Sequence, residues 1–124
     1  RASRRSERTR DMIRLWRAFF HSRDGLWAAA RSEAAVRLEL ALLFLGPPAA
    51  WLITPHWPWR AALIASLFFL LAVELLNTGL EKICDHVTPQ QHPHIKFVKD
   101  VGSAAVLAAS VAVALLWLAA YLAR

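Results

Sequence analysis

Three apolar stretches, each bounded by charge, set the plan of this chain. The cleanest is Val101 to Ala123, 23 residues without a charged side chain and interrupted only by Gly102, Ser103 and Ser110. That is enough for one bilayer crossing with some tilt. A second stretch starts with the thirteen uncharged residues Ala61 to Val73 and continues to about Cys84. The first is the weakest, because only Leu40 to Ile53 is free of charge and it contains Gly46, Pro47 and Pro48. It reaches spanning length if it extends back to about Ala34 and on toward Trp57, with Arg37 and Glu39 near one surface and a prolyl kink within. The predicted spans are therefore about 34–54, 61–84 and 101–123.

Ahead of them, Met12, Leu15, Trp16, Phe19 and Phe20 recur at i, i+3, i+4, i+7 and i+8, while Arg10, Arg14, Arg17 and His21 fall on other faces. This pattern predicts an amphipathic helix lying on a membrane surface, over about 11–31, with a turn at Ser22 to Gly25. Residues 1–10 are expected to be a basic, frayed tail; Glu7 and the lack of a cleavable apolar core argue against a targeting segment. Residues 11–124 then form a single membrane-embedded domain, and the fold class is all-α integral membrane.

Charge supplies the orientation. Ten arginines lie between Arg1 and Arg37, and Lys82, Lys96 and Lys99 lie between the second and third spans, against Arg60 and Arg124 on the other side. This asymmetry predicts that the amino terminus and the loop between the second and third spans lie in the cytoplasm. Trp57 and Trp59 mark a short turn at the outer interface. The formal net charge of +6 is read as topology and attraction to anionic lipid, with no nucleic acid partner. Composition agrees: 57% of the 124 residues are hydrophobic, too many for a small water-soluble domain. Cys84 stands alone and is expected to pack rather than react.

The candidate chemistry lies on the second span. Glu74, Asn77, Glu81 and Asp85 fall within an arc of about 80° on a helix, and Glu74 would sit about 21 Å from Arg60 along the axis. The stripe thus starts inside the bilayer and ends outside it, and ionisable groups at such depth are costly and usually functional. No nucleotide loop, zinc motif or nucleophile elbow is present in the sequence. Acids near one membrane surface (Glu33, Glu39, Glu81, Asp85), a deeper acid (Glu74), and Lys96 and Lys99 beside Asp100 suit Mg²⁺-assisted phosphoryl transfer. A carboxylate stripe equally suits an oligomeric cation or proton pathway. A noncatalytic membrane-assembly subunit is the third reading.

The segments Glu74-Leu75-Leu76-Asn77-Thr78-Gly79-Leu80-Glu81, then Asp85, then Lys99-Asp100-Val101-Gly102-Ser103-Ala104-Ala105-Val106 resemble the signature of the prokaryotic diacylglycerol kinase family, which includes undecaprenol kinases. Arg31-Ser32-Glu33-Ala34-Ala35-Val36-Arg37-Leu38-Glu39 is similar to that family's approach to its first membrane helix. The resemblance implies a homotrimer of three-span subunits, each with a surface helix, using ATP and a lipid alcohol. It implies Glu74 as general base, Glu33 and Glu81 as ligands for Mg²⁺, Asn77 as an orienting group, and Lys99 on phosphate. Asp85 and Asp100 would complete the nucleotide site, and Arg14 and Ser22 would lie near nucleotide or headgroup. Thr88-Pro89 and His92-Pro93 look more like undecaprenol kinases, whereas Gly102-Ser103-Ala104-Ala105 is closer to the diacylglycerol type, so both acceptors stay open. His92 and His94 are read either as exposed loop residues or as nucleotide contacts.

Overall fold

A computed structural model describes residues 2–88, 90 and 92–124, with side chains from residue 7 onward. Four helices follow one another: α1 (Ala2–Ser32), α2 (Ala34–Ile53), α3 (Trp57–Val87) and α4 (Pro93–Leu122). They divide into two units, Arg1–Ser32 and Glu33–Arg124. Among the described residues, α2, α3 and α4 are each long and apolar enough to cross a membrane. The all-helical, three-span class read from the sequence therefore holds.

In the first unit, α1 runs unbroken through 31 residues. The turn expected at Ser22 to Gly25 is not formed, and the stretch expected to fray is helical from Ala2. Arg23 lies over the Phe20 ring at 5.1 Å and pairs with Asp24 at 2.9 Å. The Phe20–Arg23 contact has the i to i+3 spacing that supports a helix. Met12, Leu15, Trp16 and Phe19 line a shallow apolar depression on one face. Trp16 packs edge-on to Phe19 with centroids 6.5 Å apart.

In the second unit α3 is the middle helix, packing against both α2 and α4. The short link after α2 is closed by polar contacts: His56 N–H donates to Thr54 Oγ1 at 3.2 Å, and Arg60 Nε donates to the Thr54 carbonyl at 2.8 Å. The Arg60 guanidinium also lies 4.3 Å from the centre of Trp51, and Trp51 meets Trp57 at 5.9 Å. Beside this link sits the core, Ala50, Leu63 and Ala120 with Ile53, Trp59, Ile64, Leu116 and Trp117 around them. Pro47 and Pro48 lie inside α2 rather than ending it. Gly46 just before them is buried, and a Cβ there would strike Leu67 Cδ1, so the missing side chain lets α2 and α3 approach.

Two boundaries differ from the sequence reading. α3 starts at Trp57 with a proline in its first turn, and α4 starts at Pro93. Proline at a helix start gives up no hydrogen bond and has the right φ. The His92 side chain then caps α4 by accepting from the His94 N–H. Lys96, Lys99 and Asp100 are consequently helical. Much of the apolar surface is uncovered, including Phe44, Phe68, Leu76 and Leu107. In hydrocarbon such exposure costs little, because lipid tails are as apolar as leucine.

Candidate functional site

At the opposite end of the α2–α4 unit from the Ala50–Leu63–Ala120 core, carboxylates gather on the faces of α2 and α3. Glu74 is 7% exposed, Thr78 one turn later is also buried, Asn77 and Glu81 are half-buried, and Asp85 is exposed. The helix pitch stacks these residues on one flank, so burial decreases steadily along the stripe. Asn77 Nδ2 donates to Glu81 Oε1 at 3.2 Å, an i to i+4 pair that fixes the amide's orientation. Glu33, Glu39, Glu74 and Glu81 are close enough that Glu74 feels the charges of Glu81 and Glu33, and Glu39 that of Glu74.

Three lysines balance the acids. Lys82 Nζ lies 2.9 Å from Glu33 Oε1 and joins the start of α2 to α3. Lys99 Nζ lies 2.5 Å from Asp85 Oδ1 and joins α4 to α3. Lys96 pairs with Asp100 one turn along α4. Where α3 gives way to α4, a cleft of about 520 Å³ is lined by Asp85, Thr88, His92, Lys96, Lys99 and Asp100 among others. His92 stacks on His94 with centroids 5.4 Å apart. Such a volume and mixed charge suit a small phosphorylated ligand.

Of the residues singled out in the sequence, the structure brings Glu33, Glu74, Asn77 and Glu81 into one electrostatic neighbourhood, and Asp85, Lys99 and Asp100 into the adjoining cleft. Arg14 and Ser22 lie exposed on α1 in the other unit. One residue that the sequence reading placed only among the surface acids proves to be buried. Glu39 is 7% exposed, and its Oε2 is buried without a hydrogen-bond partner. Its signal was phase: Val36, Glu39, Gly46 and Ala50 recur at helical spacing and all are buried. The other buried side-chain atom without a partner among the described residues is Asn77 Oδ1. Unsatisfied groups of this kind cost folding free energy and are concentrated here, on the two helices that carry the acids.

Among the described residues no three acidic, histidine or cysteine side chains converge as a ready metal cage. Mg²⁺ needs none, since one or two carboxylates with substrate phosphates and water commonly hold it. The hard oxygens of Glu33 and Glu81 fit that chemistry. Cys84 is buried and free of disulfide.

Comparison with known proteins adds the following. Residues 20–121 match the family described as prokaryotic diacylglycerol kinase. The chain is 38% identical over 104 residues to the diacylglycerol kinase of Pseudomonas aeruginosa, covering 84% of this chain and 85% of that one. It is 37% identical over 105 residues to that of Helicobacter pylori strain 26695, covering 84% and 81%. It is 36% identical over 110 residues to that of Escherichia coli K12, covering 88% and 89%.

Proposed function

The chain belongs to the prokaryotic diacylglycerol kinase family and is a membrane lipid kinase, and on that premise we propose that it transfers the γ-phosphoryl group of ATP to the primary hydroxyl of diacylglycerol, giving phosphatidic acid and ADP. The observation that carries this reading is the gradient along α3, from buried Glu74 through the Asn77–Glu81 hydrogen bond to exposed Asp85 paired with Lys99. An acceptor hydroxyl arriving from lipid meets the first, and a charged nucleotide arriving from water meets the last.

In this mechanism Glu74 accepts the hydroxyl proton as the alcohol oxygen attacks the γ-phosphorus in line and the bridging oxygen leaves with ADP. Asn77, held by Glu81, orients the reacting groups. Lys99 donates to phosphate; its contact with Asp85 is the resting arrangement of that cation. Asp85 and Asp100 frame the nucleotide. Glu33 and Glu81 would hold Mg²⁺, which supplies neutralisation of the phosphate charge, and Lys82 would yield its place at Glu33 to that ion.

The enzyme is read as a homotrimer in the bacterial inner membrane with its amino terminus in the cytoplasm. Support comes from the uneven distribution of Lys and Arg and from Ala104, Ala108 and Ala112, which are exposed in the single chain and suit close helix contact. The Lys82–Glu33 and Lys99–Asp85 pairs fit a kinase better than an ion pathway, which has no use for cations closing off its acids. Radiolabel transfer from ATP to a panel of lipid alcohols in detergent micelles tests the reading. Label in diacylglycerol is expected; preferential label in undecaprenol would reassign the acceptor, and ATP-independent cation flux in liposomes without label transfer would overturn the kinase.

A further inference from the structure

Gly102 and Asn77 meet where α4 passes α3. A Cβ built on Gly102 would strike Asn77 Oδ1 and would lie 3.0 Å from Leu80 Cδ2 and 3.4 Å from Asn77 Cγ. The struck oxygen is the buried atom that has no hydrogen-bond partner, while Nδ2 of the same amide donates to Glu81 Oε1 at 3.2 Å. One side of the amide is therefore held by a hydrogen bond and the other faces bare backbone.

Conformation does not explain this glycine. It lies inside α4, and no glycine among the described residues has a positive φ. In a helix interior alanine is intrinsically preferred to glycine. Space explains it instead, and the contrast within the chain is direct: Gly25 and Gly79 are also helical, yet a Cβ on either would meet nothing within 4 Å.

We propose that Gly102 is a positioning residue for phosphoryl transfer, leaving the Asn77 amide the room to stay bonded to Glu81 and aimed at the reacting groups. The inference rests on the reading of Asn77 and Glu81 as part of the kinase site. A methyl group at position 102 drives the amide oxygen aside, and a planar amide cannot move its oxygen without also turning its nitrogen away from Glu81. The tip of Leu80 yields more easily, being the far end of a flexible side chain. At this point the α4 backbone lies directly against the Asn77 amide oxygen, so the added methyl group meets that oxygen first.

The test is a double-mutant cycle on the full chain in detergent micelles with ATP and diacylglycerol, comparing wild type, Gly102→Ala, Asn77→Ala and the double variant. Gly102→Ala is expected to lower kcat on the order of a hundredfold, the scale of a small misplacement at a reacting centre, with KM for ATP little changed. It is also expected to lower Tm. In the Asn77→Ala background, where there is no amide to displace, Gly102→Ala should cost neither kcat nor Tm. Equal losses in both backgrounds would overturn the proposal. If Asn77→Ala itself keeps the wild-type rate, the site reading fails, and the Tm cycle alone still decides whether Gly102 acts through Asn77. If Gly102→Ala does not assemble, recovery of assembly in the double variant supports the proposal, and continued failure overturns it.

Discussion

The two ends of the α2–α4 unit are built on opposite principles. Near the Thr54 link, buried apolar groups touch one another and the polar groups bond within the chain: Arg60 to the Thr54 carbonyl, Trp117 Nε1 to Ser66 Oγ at 3.3 Å, and Ser66 Oγ to the Leu63 carbonyl at 2.6 Å. Near Glu74, two buried oxygens lack partners, several carboxylates crowd together, and lysines from other turns hold the acids in check. One end is satisfied by its own sequence, and the other waits for something to complete it. Stability and activity should accordingly separate by position along the same helices, a division seen where functional sites store unfavourable interactions.

The largest effect tests that division most directly. Glu74→Gln is expected to reduce label transfer by about 10²–10⁴-fold, the value of a positioned base, without lowering Tm; an unchanged rate would remove the assigned base, and a collapsed fold would blur the contrast. At the other end, Leu63→Ala should lower stability by about 2 kcal/mol. That figure is the cavity contribution alone, because the hydrocarbon outside is as apolar as the core. Thermal unfolding in micelles measures it, and activity per folded molecule should be retained. Returning to the charged end, Lys99→Met should raise KM for ATP about tenfold, as expected for loss of one charge-assisted hydrogen bond, with Tm hardly moved; steady-state kinetics at varied ATP reads it. The smallest change is Trp117→Phe, which removes the bond to Ser66 and should cost under about 1 kcal/mol with no change in rate. A kinetic defect in that variant would show that the two ends are coupled.

Much of this layout was legible in the residues. The three spans followed from charge-free length, and the stripe on α3 followed from the helical angle of Glu74, Asn77, Glu81 and Asp85, which the observed gradient of burial repeats. Helix extent was less legible. Apolar run length sets a lower bound on a helix, and the polar first turns of α4 are helical because Pro93 starts them and His92 caps them. The same chemistry was visible in the His92-Pro93 pair but carried no hydropathy signal. Likewise α1 runs through Ser22 to Gly25, residues that read locally as a turn, with Arg23 set over Phe20 one turn back. Glu39 and Gly102 depend on which helix lies opposite. A periodic pattern tells that a face is buried, and only packing tells against what.

The Trp51, Trp57 and Arg60 cluster has one more consequence. It ties α3 at one end, while Glu74 rides about 21 Å further along a rod of fixed pitch. An enzyme so built gauges the sheet it is threaded through: acyl chains shorter or longer than its own apolar length shift Glu74 relative to the glycerol layer on the far side. Turnover should thus peak at one acyl length and decline on either side of it, so that the surrounding lipids regulate the kinase simply by their length.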